Sequence, residues 1–239
     1  MPRSALWAAI ANTLRDEIAQ GLYPPGGRLP TEAALSARFG VNRHTVRHAL
    51  AALSADGIVH PRRGSGVFVT AKPTDYSLGR RVRFHQNVTA SGRTPSRRLT
   101  RLETRPASQD EATALRLAAG VPVHVVEGIS LADTHPLAVF RSVFPAARLP
   151  GLLTEMEGQA SVTAALFACG IQDYTRAETR ITAKTASAVL AAALQVAAGA
   201  PILRSVAVNV DAGGLPIEYG TTWFAGDRVT LNVTMDQPA

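Results

Sequence analysis

RLPTEAALSARFGVNRHTVRHALAALSADGIVHPRRGSGVFV, residues 28–69, decides the fold. Thr31 stands where a helix N-cap is needed, and Glu32 follows at the positive end of the helix dipole. The spacing predicts a helix over Thr31–Phe39, a turn at Gly40-Val41-Asn42, and a second helix capped by Asn42. That second helix has an apolar face of Val46, Ala49, Leu50 and Leu53, which leaves Arg43, His44, Thr45, Arg47 and His48 largely on its other faces. Ile58-Val59-His60 and Val67-Phe68-Val69 then read as paired strands around the tip Arg62-Arg63-Gly64-Ser65-Gly66. Two helices across a short turn, followed by a basic, glycine-tipped hairpin, make a winged helix-turn-helix.

In that geometry the first turn and a half of the second helix meets base edges, while the preceding helix crosses the backbone. Arg43 can donate to guanine O6 and N7, a contact that discriminates by about 1–3 kcal/mol. Thr45 can meet a thymine methyl group or a phosphate, and Arg47 can do either job. Arg28 and Thr31, at the entry to the preceding helix, join the DNA-facing set. Glycines at 64 and 66 let the wing backbone approach a phosphate or a minor groove, where Arg62 and Arg63 neutralise charge. Any one of these arginines alone reads equally well as a solvated surface residue; their combination with the wing favours DNA.

Working outward, Leu6, Ile10, Leu14 and Ile18 recur every four residues beside Trp7 and Ala11, predicting a helix with Ser4 as its cap and Gly21 as its end. Pro24-Pro25-Gly26-Gly27 forces a loop before the quoted segment. The 239 residues carry a net charge of +7, unevenly spread. Lys and Arg against Asp and Glu number 8 to 4 over residues 1–70, 9 to 2 over 71–105, and 8 to 12 over 106–239. A basic front and a mildly acidic back fit a polyanion-facing N-terminal part and a C-terminal part with another task; an arginine-rich proteome would give the same total. No apolar run reaches the roughly 18 residues of a membrane span, and Met1-Pro-Arg-Ser leads straight into an amphipathic pattern, so a cytoplasmic location is expected. Cys169 stands alone, which excludes a disulfide or a cysteine zinc site within the chain and suggests a buried small apolar residue.

Residues 7–69 resemble the DNA-binding domain of the GntR superfamily. The resemblance is carried by Gly26–Leu29-Pro30-Thr31-Glu32, Leu35, Phe39-Gly40-Val41, Arg43, Thr45-Val46-Arg47, Ala49-Leu50, Leu53, Gly57 and Gly64-Ser65-Gly66-Val67-Phe68-Val69. It implies that Arg43, His44, Thr45, Arg47 and the Gly64–Gly66 tip contact operator DNA, and that dimers read short palindromes. Ala33 departs from members that carry a DNA-contacting arginine there.

Residues 70–105 contain Lys72-Pro73, Arg80-Arg81-Val82-Arg83 and Arg97-Arg98-Leu99-Thr100-Arg101, which read as a solvated linker running into an edge strand. Further phosphate contacts or one wall of an anion pocket are the sharper readings. Beyond it, a short helix is expected to end over Leu115–Gly120, before strands at Val121–Ser130 and Leu137–Val143 around Asp133–Pro136. Ser161–Cys169 and Ser187–Val196 read as helices and Tyr174–Thr182 as a strand. Ile202–Val210 and Pro216–Trp223 read as a hairpin turning at Asp211–Gly214, and Val229–Thr234 as a further strand. Hairpins and helices without βαβ alternation predict an α+β domain with an antiparallel sheet.

This order resembles the UTRA effector domain, the chorismate-lyase-like sensor of the HutC subfamily, and PhnF-type regulators of phosphonate utilisation in particular. Phe84-His-Gln-Asn, Ala90-Ser-Gly-Arg93, Pro95, Phe144–Arg148, Ser161-Val-Thr163, Asp173-Tyr174, Thr179–Ala183, Pro216–Gly220 and Phe224–Arg228 carry it. Ser161 and Thr163 at a helix start bring hydroxyls and free N–H groups to one point, although Ser161 also reads as a plain cap. The resemblance implies that this Ser and Thr bind the acidic head of the effector. Arg141, Arg180 and the loop His85–Arg93 are candidate cationic partners, and Phe84, Tyr174, Glu218 and Tyr219 complete the expected site. Glu218 and Tyr219 read equally as strand-edge residues, and Asp227-Arg228 as a structural ion pair or turn. Glu127 and Ile129 stand where sugar-phosphate-sensing members carry arginines, which turns expectation toward an amine-bearing ligand attracted by Glu127 or Glu218.

The expected fold is therefore two domains, a mostly α winged helix-turn-helix with a β wing and a C-terminal α+β antiparallel-sheet domain of chorismate-lyase-like type. The expected bounds are 1–70 for the DNA-binding domain, 71–90 for a linker and 91–239 for an effector-binding and dimerisation domain. The function implied is a homodimeric regulator, a repressor of phosphonate uptake or metabolism genes, binding a short palindromic DNA operator under control of a small anionic effector such as a phosphonate or phosphate compound. A repressor answering urocanate, a sugar derivative or another organic acid is the alternative. A chorismate-lyase-like enzyme is the rival from another class, but the histidines form no close metal-ligand spacing outside His44 and His48, and no nucleophile–base set stands out. No cofactor and no membrane partner are expected.

Overall fold

The computed structural model describes residues 3–62, 64–70, 73–81, 83–158 and 161–233. The chain divides into two compact units, Met1–Lys72 and Pro73–Ala239.

In the first unit, α1 (Arg3–Ala19), α2 (Glu32–Phe39) and α3 (Arg43–Ala55) precede a hairpin of β1 (Val59–Arg62) and β2 (Gly66–Val69). Because α1 already includes Arg3, Ser4 lies inside the helix and does not cap it. The four-residue apolar spacing places Ile10, Ala11 and Leu14 against Leu35 of α2 and Val46, Ala49, Leu50 and Leu53 of α3. Leu14, Leu35, Val46 and Leu53 are fully sealed, and each such burial contributes about 1.5–3 kcal/mol. Gly40, at φ 63°, ends α2 in the left-handed conformation that a β-carbon would strain, so α3 can start three residues later, at Arg43. Gly26–Leu29 runs beside β2, with Leu29 N–H donating to Val67 at 2.8 Å and Val69 N–H to Gly27 at 2.9 Å.

The second unit opens with β3 (Thr74–Ser77) and α4 (Phe84–Ala90), followed by β4 (Pro95–Pro106), α5 (Gln109–Leu115), β5 (Pro122–Ala132) and β6 (His135–Pro145). Then come α6 (Leu152–Gly158), α7 (Val162–Ala168), β7 (Tyr174–Thr185), α8 (Ala188–Leu194), β8 (Pro201–Asp211), β9 (Pro216–Ala225) and β10 (Val229–Asn232). Six strands form an antiparallel sheet in the order β4-β5-β6-β9-β8-β7, and β3 pairs in parallel with β10 as a separate ribbon. Side chains alternate across the sheet. One face carries Val126, Phe140, Phe144 and Phe224, packed under α4, α6 and α7. The other carries Val123, Val125, Val143 and Trp223, packed under α5 and α8.

The expected two-domain architecture is found, with local corrections. Much of the stretch read as linker, 71–90, is structured in the second unit as β3 and α4, where the Asn87 side chain clasps Ser77 by accepting from its N–H (3.1 Å) and donating to its carbonyl (3.3 Å). Helix α5 stops at Leu115, where Arg116 turns left-handed (φ 55°), ahead of Gly120, which is left-handed as well (φ 75°). Cys169 is half-buried beside the α6–α7 core. Arg228 is buried and donates to the carbonyls of Pro136, Leu194 and Gln195, a structural post between β6 and the end of α8. Among the described residues no helix is long and apolar enough to cross a membrane.

Candidate nucleic-acid interface and effector cavity

In the first unit the start of α3 faces solvent. Asn42 caps it, its Oδ1 accepting from the Thr45 N–H (2.9 Å) and from the Thr45 hydroxyl (3.0 Å). The Thr45 hydroxyl is thus already engaged, and the residue is half-buried. Arg43 and His44 are exposed, and Arg43 hydrogen-bonds to no described residue. His44 stands edge-on to His48 (6.4 Å between centroids), which in turn packs on Trp7 (4.9 Å). Arg47 is two-thirds exposed but held: its Nε and one terminal nitrogen donate to the two Glu32 oxygens at 3.2 and 2.8 Å. These bonds hold the Glu32 carboxyl below the usual carboxylate range.

The other expected DNA-facing residues divide. Thr31 caps α2, its hydroxyl accepting from Ala34 N–H at 3.2 Å. Arg28 is exposed and bridges to Phe68 of the wing. Its guanidinium lies under Gly66, where an added β-carbon would sit 2.8 Å from Arg28 Nε. Gly64 and Gly66 have φ of 76° and 111°, and Ser65 is exposed between them. Arg63 and the Arg62 side chain lie outside the described residues.

In the second unit a cavity of about 600 Å³ opens between α4, the start of β4 and α7. Arg83, Phe84, His85 and Gln86 line one side, Arg97 the floor, and Ser161, Thr163, Ala164, Phe167 and Ala168 the other. Ser161 Oγ caps α7 by accepting from Ala164 N–H (3.3 Å). The Thr163 hydroxyl shares a 2.8 Å bond with the phenol of Tyr174, whose pKa burial pushes up. Burial first, and the nearby Arg97 charge second, pull the His85 pKa down and favour neutral imidazole. So the structure brings Phe84, His85, Ser161, Thr163 and, through Thr163, Tyr174 together around one cavity.

Arg93, Arg141, Arg180, Glu218 and Tyr219 do not line it. Arg93 ties the β5–β6 turn to β3, donating to Asp133 (2.9 Å), Thr74 (3.1 Å) and the Ala132 carbonyl (2.8 Å). Arg141 lies on the opposite sheet face, where it pairs with Glu111 (2.6 Å) and Glu127 (3.3 Å). Glu127 and Ile129 share that far face, so neither stands at the cavity. Arg180 is exposed on the edge strand β7 beside Glu178 (2.6 Å). Strand alternation separates Glu218 from its neighbour. Tyr219 packs with Leu115 and Val143 on the far face, whereas Glu218 points to the cavity face but is buried, accepting from Ser142 Oγ and Asn209 Nδ2 at 2.6 Å each.

Sequence reading missed Arg83, Gln86 and Arg97 as individual lining residues; the basic runs at 80–83 and 97–101 were the available signal. Arg83 is spent locally. It stacks on the Tyr174 ring (3.8 Å to the centroid), donates to the Tyr174 carbonyl (3.3 Å) and lies 3.8 Å from Asp173. Arg97 is different. Its guanidinium lies between the rings of Phe84 (5.2 Å) and Phe140 (4.9 Å), and its Nε is sealed from solvent with no acceptor among the described residues. A buried donor left unpaired costs about 1–3 kcal/mol, more when charged. Burial pulls the Arg97 pKa down, against the charge pull of Tyr76, Glu218 and Tyr174.

Comparison with known proteins follows the same division. Residues 6–69 match the bacterial regulatory proteins of the gntR family, and residues 90–230 match the UTRA domain. The uncharacterized HTH-type transcriptional regulator RB1450 of Rhizobium meliloti (strain 1021) is 40% identical over 96% of this chain and 94% of its own length. The "probable transcriptional regulator PhnF" of Escherichia coli (strain K12) is 32% identical over 94% of this chain and 92% of its own. The crystal structure of PhnF from Mycobacterium smegmatis superposes with a TM-score of 0.68 at 29% identity, covering 94% of this chain and 99% of that one. With an N-terminal gntR-type DNA-binding unit and a C-terminal UTRA unit that holds a cavity, this chain belongs to the UTRA-bearing branch of the GntR family and is a transcriptional regulator.

Proposed function

We propose that the protein is a homodimeric operator-binding repressor whose DNA affinity is set by a small anionic effector in the cavity between α4, β4 and α7. The observation that carries the DNA half is the capped, solvent-facing start of α3, where Arg43 has no hydrogen-bond partner among the described residues and Arg47 is held by Glu32. Arg43, His44 and Arg47 read bases or phosphates, and the Gly64–Gly66 turn with Arg28 lies along the backbone. Thr45 and Thr31 serve chiefly as cap elements, with their methyl groups left for contact. The second unit joins the two copies, a reading supported by the long, largely exposed edge strand β7.

The effector half rests on linkage: a ligand shifts operator binding only if it binds the DNA-competent and DNA-released states differently. A phosphonate or phosphate compound is the favoured class, from the PhnF-type motifs and from similarity to the two PhnF proteins. Sugar derivatives are the second reading, because the "probable fructoselysine utilization operon transcriptional repressor" of Escherichia coli (strain K12) is 26% identical over 95% of this chain. The cavity is read as a binding site, since among the described residues the Ser161 and Thr163 hydroxyls meet Ala164 N–H and the Tyr174 phenol and not the His85 imidazole.

Fluorescence anisotropy of the full chain on its own upstream DNA, at two salt concentrations, tests this. Binding should be tight and salt-dependent, and weakened by 2-aminoethylphosphonate, methylphosphonate or phosphate but not by urocanate. Absence of specific binding would overturn the regulator reading for this DNA surface. Turnover of any of these compounds would restore the enzyme.

A further inference from the structure

Resting on the cavity as the effector site, we infer that Arg97 is its anchoring cation and that the effector meets Arg97 with one compact oxyanion, a carboxylate, phosphate or phosphonate group. Among the described residues two arginines line the cavity and no carboxylate does. The charge of Arg83 is shared with Asp173, which Arg81 also grips at 2.5 and 3.2 Å, and its donors turn toward Tyr174. Arg97 has no such outlet. Phe84 of α4 and Phe140 of β6 flank its guanidinium, and aromatic faces attract a cation without accepting its N–H bonds in plane. The open direction is therefore the edge of the fork, where a guanidinium donates two parallel bonds to an oxyanion.

The surroundings fix the charge of the head group. Glu218 pulls on Arg97 electrostatically, but its oxygens are taken by Ser142 and Asn209. His85, between burial and the Arg97 charge, is biased to the neutral form. No described carboxylate bonds to the Arg97 fork, so its donors are left for an oxyanion. Ser161 Oγ accepts from Ala164 N–H, so its own O–H can donate to the same group, and Gln86 offers a further amide at the rim. The apolar side of Phe167, Ala164 and Ala168 takes the uncharged remainder of the ligand.

The test is calorimetric titration of the full chain with inorganic phosphate, methylphosphonate and acetate, with operator anisotropy in parallel. At least one of the three should bind at one site per chain, and which one does distinguishes the oxyanion sources. Arg97→Gln should weaken that binding by about tenfold to a hundredfold, the scale of a lost charge-assisted bond. Arg97→Lys, which keeps the charge but not the fork, should weaken it by about threefold to tenfold. Arg204→Gln, beside Trp223 on the opposite sheet face, removes one charge there and should change it by less than about twofold. Unchanged binding in Arg97→Gln overturns the assignment; if that variant does not fold, unchanged binding in Arg97→Lys does so. Failure of all three probes to bind the wild type overturns the oxyanion class, whereas loss of operator binding by the wild type speaks against the regulator reading alone.

Discussion

Glu32 and Arg47 clasp each other across the helix-turn-helix, a two-pronged pair at 3.2 and 2.8 Å that joins the first residue of α2 to the exposed side of α3. An exposed ion pair of this kind adds little to stability, so its main effect is to orient the Arg47 guanidinium before DNA arrives. Glu32→Gln should leave the melting temperature nearly unchanged. It should raise affinity for scrambled DNA slightly, by removing a negative charge from a surface that meets phosphates, and lower the ratio of operator to scrambled affinity. Arg47→Ala and Arg43→Ala should abolish specific binding with little loss of stability. Anisotropy on both DNAs with parallel melting curves reads this, and a melting-temperature loss that matches the binding loss would make these residues structural.

At the wing the sequence requirement is conformational. Gly66 has φ 111°, and a β-carbon there would also press on Arg28 Nε at 2.8 Å. Because the obstacle is the end of a flexible side chain, Gly66→Ala should fold, at a cost of about 1–2 kcal/mol from backbone strain. Displacing Arg28 and reshaping the tip should cost operator affinity more than stability. Arg28→Ala checks the attribution: if it leaves operator binding intact while Gly66→Ala does not, the backbone of the tip carries the contact.

The first unit was legible because each element has a local signal. Thr31 and Asn42 cap, Gly40 turns, and the four-residue spacing of Ile10 and Leu14 marks the buried stripe. In the second unit the edge strand expected at the end of residues 70–105 is β4, but its bounds were not legible, because alternating half-buried and exposed positions rich in arginine carry the composition of a linker. The cavity was half legible. Ser161 and Thr163 announce a helix start, but period-two alternation decides that Glu218 faces the cavity side and Tyr219 does not. A one-residue error of face is invisible without the register. Arg141 was drawn away by Glu111, and Arg97 was drawn in by Phe84 and Phe140; both are tertiary facts that a run of arginines cannot reveal.

Glu111 makes stability pH-dependent. Its side chain is 2% exposed, gripped by both terminal nitrogens of Arg105 (2.7 and 2.8 Å) and by Arg141 (2.6 Å), and it accepts from Ser108 N–H (2.8 Å) as part of a capping box. The Arg105 bonds lead in lowering its pKa from 4.5 to about 2, against the opposing effect of burial. A folded-state value below the unfolded one gives stability that is fully present above pH 4.5 and is lost as pH falls from there toward 2. The size is about 3 kcal/mol. Urea denaturation of wild type and Glu111→Gln should show that gap near neutrality and a narrowing gap in acid. A constant gap across the acid range would mean that the carboxylate's charge is not what stabilises α5 against the sheet.

Ser161 and Thr163 each have a structural job beside the binding role proposed for them, so their variants need two readouts. Ser161→Ala removes the α7 cap, at about 1 kcal/mol, together with a donor to the ligand. Thr163→Val leaves the buried phenol of Tyr174 without its 2.8 Å partner, at about 1–3 kcal/mol. The double variant should melt earlier yet bind operator within about twofold of wild type, since neither residue belongs to the DNA-binding unit. Methylphosphonate or phosphate should no longer weaken that binding. Tyr174→Phe separates the causes: it frees the Thr163 hydroxyl without deleting it, so a retained response there, with the response lost in the double variant, assigns the hydroxyls to the ligand. A double variant that responds like wild type would put the ligand elsewhere in the second unit.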